Sequence, residues 1–262
     1  MVLLSFSIVF ALLVTIGLPV VAGFWLNKRL KVAWQTIVLG ALGYFIVQAL
    51  LTLLYTAFIA LMQTEGTQVL NESNELIQLA VSVLLAALLG VILRWVGMKF
   101  SKLPLTSLEA SFGIGLGFGS AESISRVGLP LLMTFITMLR YINPQTSALD
   151  PDIIAQLEAL WQVSPWVPAA GSVERILALV LHNAITVLVL QTFIRKNGLW
   201  LAAAIGLEVL INGIILSLSL AEMAYGWVIL IALVLLAGIL ALLNHLQAFN
   251  LTPTEGSGQE IE

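Results

Sequence analysis

Seven stretches of this chain, at about residues 2 to 26, 32 to 62, 76 to 97, 105 to 125, 172 to 194, 199 to 220 and 226 to 245, are apolar and long. Each is long enough to cross a hydrocarbon core of ~30 Å as a helix. An eighth run, at about 127 to 141, is too short to cross comfortably. Sixty per cent of the residues are hydrophobic and only 10% are charged, with mean hydropathy +1.05, a balance that no ordinary soluble domain needs. The expected fold is therefore an all-α polytopic transmembrane bundle of about seven to eight helices, one integral-membrane domain over residues 1 to 250. The first run has no basic leader and no small-residue cleavage pattern, so it reads as a retained membrane helix. The stretch 251 to 262 is polar, carries no basic residue and is expected to be a disordered cytoplasmic tail.

A net charge of −3 with no basic patch argues against nucleic acid as a partner, which leaves the lipid bilayer and whatever lies in it. The chain has no cysteine, which removes thiolate chemistry and cysteine-held metals, and imidazole comes only from His182 and His245. Eight of the eleven basic residues group as Lys28, Arg29 and Lys31, as Arg94, Lys99 and Lys102, and as Arg195 and Lys196, after the first, third and fifth long runs. By the positive-inside rule this sets the N-terminus outside and the C-terminus in the cytoplasm. The polar segments Gln63 to Glu75 and Asn143 to Gly171 then fall outside. Residues 105 to 141 must cross once net, and a break near Gly128 to Pro130 is expected to divide a spanning helix from a shallow piece.

Glu109 to Arg126 carries glycine at 113, 115, 117 and 119, then Glu122 and Arg126 four residues apart. Glu109 follows Thr106 at the spacing of a capping box. The glycines form two small-residue pairs that let neighbouring helices approach closely; a weakened helix lining a cavity is the other reading. Ionisable groups at membrane depth are costly and point to function. Glu122 and Arg126 either neutralise one another across one turn, or form a carboxylate base whose proton affinity the guanidinium tunes. Glu174 and Arg175 are expected to open the helix at 172. There the macrodipole favours the carboxylate and disfavours the cation, so Arg175 needs a partner, for which Glu122 is a candidate. His182 lies two turns further on nearly the same face, and Glu208 and Asn212 share a face of the next helix. Glu222 reads as solvated in a short outer turn. Zinc is disfavoured, since there is no His-Glu-x-x-His and one histidine would need several carboxylates.

From the Gly40 to Gln48 segment to about Asn212, these motifs resemble the YhfC family of bacterial membrane proteins, grouped with the PrsW and CPBP (CAAX-prenyl-protease and bacteriocin-processing) intramembrane proteases. Gly115 to Glu122 is similar to the family's Gly-x-Gly-His-Gly-Gly-x-Glu, and Glu174-Arg175 with His182 to its Glu-Arg followed by histidine. The resemblance implies a glutamate-dependent intramembrane peptidase acting on membrane proteins or peptides. Glu122 would activate water, His182 would meet the oxyanion with Asn212 assisting, and Arg126, Glu174 and Arg175 would hold the site in shape. The family has also been described as a metalloprotease. Two positions depart from its pattern, Phe118 and Glu208, each of which replaces a histidine and so removes a metal ligand or an oxyanion donor. Those losses favour a second reading, a pseudoprotease that binds membrane segments without cutting them. A third is a small transporter or channel with Glu122, Glu208 and His182 as a proton path, for which no internal repeat speaks.

Overall fold

The computed structural model describes residues 2–64, 72–100, 107–140, 151–220 and 225–245, and these are helical apart from short connections, with no strand among them. The helices are α1 (Val2–Leu30), α2 (Trp34–Thr64), α3 (Glu72–Phe100), α4 (Leu108–Arg140), α5 (Pro151–Trp161), α6 (Trp166–Ile194), α7 (Leu199–Leu220) and α8 (Tyr225–His245). Six of them, α1, α2, α3, α4, α6 and α7, are long and apolar enough to cross a membrane, and α8 adds a shorter apolar stretch, Ile229–His245. The chain is an all-α polytopic bundle. The tail after 250 and Glu222 lie outside the described residues.

α4 is the central helix, packed over its first half, Leu108–Glu122, between α2 and α6. The alternate glycines explain how two helices close on it at once. Gly113 and Gly117 face α2: a Cβ on Gly117 would strike the carbonyl oxygen of Ile37 and lie 3.0 Å from the Ala41 nitrogen, and one on Gly113 would strike Thr36. Gly115 and Gly119 face α6, where a Cβ would lie 2.7 Å from Asn183 Cα and 3.0 Å from His182 Cδ2 respectively. Small residues at these positions let backbones meet where larger side chains would hold them apart. The weakened-helix reading fails, because the backbone stays α-helical from Leu108 to Glu122. Nor is that helix opened by a Thr106–Glu109 box. Its cap is Ser107, whose Oγ accepts from the Ala110 N–H at 3.1 Å, leaving Glu109 exposed and Thr106 outside the described residues.

The break expected at Gly128 to Pro130 is absent, and Leu108–Arg140 runs on as one helical span. A proline ring clashes with the carbonyl four residues back and offers no N–H. Here a π-helical turn over Ser123–Gly128 precedes it, with the Leu129 N–H donating to Ile124 O, so the ladder is already displaced where the proline enters. α1 uses the same device, a π-helical turn at Leu13–Gly17 before Pro19, and Gly-Leu-Pro recurs at 17–19 and 128–130. The two turns face each other. Ser123 Oγ donates to Thr15 O at 3.1 Å, and a Cβ on Gly128 would lie 2.7 Å from Ile16 Cγ1.

α6 also differs from expectation, starting at Trp166 and not at 172. Pro168 falls in its first turn, where a missing N–H leaves no bond unmade. Glu174 is therefore two turns inside the helix, and the macrodipole cannot be what holds it.

Candidate active site

Four helices deliver one continuous row of polar side chains. α7 supplies Glu208, α3 supplies Arg94, α6 supplies His182 and Arg175, and α4 supplies Glu122 and Arg126. Glu208 Oε2 accepts from Arg94 Nη1 at 3.1 Å. Arg94 Nη2 donates to His182 Nδ1 at 2.8 Å, and His182 Nε2 lies 2.7 Å from Glu122 Oε2. Arg126 Nη1 and Arg175 Nη1 approach Glu122 Oε1 at 3.4 Å and 3.6 Å, and Arg175 also pairs with its neighbour Glu174. Three guanidinium groups (94, 126 and 175) thus face three carboxylates (122, 174 and 208), and the row is neutral overall.

The direction of these bonds fixes the imidazole. A guanidinium only donates, so His182 Nδ1 must be the acceptor and carries no proton. The proton is then on Nε2, which donates to Glu122, and the ring is neutral. Gly119 makes this placement sterically possible, because a methyl group there would crowd His182 Cδ2 and Leu179 Cδ2 at 3.0 and 3.1 Å.

Arg94 is the residue that sequence reasoning misplaced. It was grouped with Lys99 and Lys102 as a cytoplasmic cluster, but α3 runs on to Phe100, which sets Arg94 about 9 Å inside the helix end. Its side chain is 1% exposed, with Cζ 3.9 Å above the Phe118 ring centroid. Phe118 in turn meets Tyr44 edge to face, with centroids 5.4 Å apart. The available signal was a single arginine between Leu93 and Trp95 in an otherwise apolar run, the criterion that singled out His182. Tyr44 was missed as a wall residue, and nothing in its apolar surroundings marks it.

All of the row except Arg94, which lies behind it, forms one wall of a cavity of about 520 Å³, within the range that holds a small ligand. Glu122, Arg126, Glu174, Arg175, His182, Glu208 and Asn212 all line it, and the remaining wall is mostly aliphatic, with Val47 and Leu51 of α2 and Ile211 and Ile215 of α7. Asn212 sits one turn beyond Glu208 and reaches the cavity without belonging to the row. Arg126 is 62% exposed and marks the rim, whereas Glu122 is 17% exposed and lies further in. Among the described residues no group of three or more His, Cys, Asp or Glu side chains is disposed to hold a metal ion.

A family model described as YhfC intramembrane metalloprotease matches residues 10–240, a span that contains the whole site. No curated protein and no solved structure matches the chain.

Proposed function

Since the chain belongs to the YhfC intramembrane metalloprotease family, we propose that it is an intramembrane peptidase in which Glu122 activates water and His182 polarises the scissile carbonyl. The observation that carries this reading is the 2.7 Å contact of Glu122 with the Nε2 side of His182, set in the wall of a ligand-sized cavity among membrane-spanning helices.

The residues present do not fit the metal that the family description names. A catalytic zinc takes about three protein ligands with free lone pairs. At His182 the Nδ1 lone pair is taken by Arg94 and Nε2 carries a proton; Phe118 offers no donor atom, and Glu208 is paired to a guanidinium. The reaction is therefore written through the chain's own groups. Glu122 takes a proton from water as the water oxygen bonds to the carbonyl carbon, and the carbonyl electron pair moves onto its oxygen. The His182 Nε2–H, released from Glu122 by the entering substrate, and the Arg175 guanidinium meet that oxyanion. Collapse breaks the C–N bond, and the proton on Glu122 passes to the leaving nitrogen. Removing one such oxyanion donor typically lowers kcat by about 10²–10³-fold. Asn212, on the same cavity wall, is placed to hold a flanking peptide carbonyl. The aliphatic walls suit an apolar membrane segment as substrate.

A second reading has its own support. Both oxygens of Glu122 and both nitrogens of His182 are engaged within the protein, an arrangement that suits a binder of membrane segments that does not cut. The two readings separate on one comparison, purified protein with tagged single-span membrane peptides. The peptidase yields fragments that disappear with Glu122→Gln and with His182→Ala; the binder retains uncut peptides whether or not Glu122 is changed.

The orientation with the N-terminus outside keeps its support with Arg94 removed from the count. Lys28 and Arg29 end α1 and Lys31 follows it, Lys99 ends α3, and Arg195 and Lys196 follow α6, alternate ends of a path in which α4 crosses once.

A further inference from the structure

The Arg94 guanidinium stands at the point on which the side chains at 118, 182 and 208 converge. It lies 3.9 Å over the Phe118 ring, donates to His182 Nδ1 at 2.8 Å and to Glu208 Oε2 at 3.1 Å, and is buried. The sequence resemblance implies a histidine at positions 118 and 208, where this chain has phenylalanine and glutamate, and at position 182, where it has histidine. We propose that Arg94 is a built-in cation that occupies the place of a metal ion in this site and excludes one from it.

The surroundings match a guanidinium better than a metal. An aromatic face attracts a buried cation but has no lone pair to ligate with. A carboxylate at 208 neutralises a guanidinium that stays charged at any physiological pH. Occupation by one cation rules out the other, because His182 Nδ1 cannot accept from Arg94 and ligate a metal through the same lone pair. A divalent ion at this point would also sit against a fixed positive charge. Arg94 is thus a positioning residue: it holds His182 in the Nε2–H form that faces Glu122, much as an outer partner of a metal-bound histidine fixes its tautomer. This role does not depend on whether the site cuts peptide bonds.

The test uses the full chain in detergent, purified through a tag free of histidine. Co²⁺ binding is followed by visible absorption and by metal content per chain, and ¹⁵N-histidine NMR is recorded on a His245→Gln background, which leaves His182 as the sole histidine. The wild type is expected to bind no more Co²⁺ than His182→Ala does. Its Nδ1 should resonate as an unprotonated nitrogen and Nε2 as a protonated one, both unmoved by excess Zn²⁺. Phe118→His with Glu208→His should gain no His182-dependent metal while Arg94 remains, and should gain one ion per chain once Arg94→Ala is added. The proposal is overturned by a wild-type metal ion that His182→Ala removes, by a protonated or Zn²⁺-shifted Nδ1, or by a folded triple variant that takes up no metal. If the triple variant does not fold, the wild-type binding and NMR measurements decide by themselves.

Discussion

Replacing Glu208 with leucine should be more harmful than replacing both Glu208 and its partner. Arg94 and Glu208 meet at 3.1 Å, with side chains 1% and 8% exposed. At that separation and an effective dielectric near 20 their attraction is roughly 5 kcal/mol, largely offset by what it cost to take both charges out of water. Glu208→Leu removes the attraction but leaves the arginine buried, which typically costs about 3–5 kcal/mol. Adding Arg94→Met removes the stranded charge at similar side-chain volume. What remains is the His182 Nδ1 acceptor without its donor, worth about 1–3 kcal/mol. The double variant should therefore be more stable than the Glu208→Leu single by about 2 kcal/mol, an inversion that additive contacts cannot produce. Unfolding in mixed micelles by titration with a denaturing detergent, followed by tryptophan fluorescence, reads the difference. A double variant no more stable than the single, or a Glu208→Leu protein as stable as wild type, would refute the buried-pair geometry.

Gly117→Ala sets a methyl group against the Ile37 carbonyl and Ala41 nitrogen, backbone atoms that cannot rotate away; the same titration should show a loss of at least about 1–3 kcal/mol. Gly119→Ala instead presses on the His182 ring and a leucine methyl, both able to yield by tenths of an ångström. It should cost less stability than Gly117→Ala while lengthening the 2.7 Å contact, seen as a change in the His182 ¹⁵N shifts and a larger fall in any cleavage rate than in stability. Ser107→Ala removes the acceptor for the Ala110 N–H and should cost about 1 kcal/mol, with faster amide exchange confined to the first turn of α4.

The fold class was legible because lipid leaves an apolar run of about twenty residues few alternatives to a helix. The glycine pairs were legible as contacts for the same local reason, since helical spacing puts 113 with 117 and 115 with 119. The distribution of those two pairs between α2 and α6 was not legible, because it depends on which helices flank α4. Pro130 read as a break, since the rule for a proline inside a helix assumes an α ladder; the π turn that absorbs it packs against the turn at Leu13–Gly17, a tertiary partner far away in sequence. Glu122, His182 and Arg175 stood out singly as polar groups in apolar runs, and the structure brings them to one wall. Arg94 escaped because proximity to Lys99 in sequence suggested a loop, whereas its depth is set by a helix that continues past it. The order of the row, carboxylate, guanidinium, imidazole, carboxylate, depends on helix rotation about four separate axes, which periodicity in one chain segment does not record.

The most direct measurement is cleavage of tagged single-span membrane peptides by the purified protein, wild type beside Glu122→Gln, each with and without a strong chelator. A metal-free peptidase built on Glu122 predicts fragments from the wild type that chelator leaves unchanged and that Glu122→Gln abolishes. Fragments that survive Glu122→Gln, or that vanish from the wild type on chelation, would contradict it.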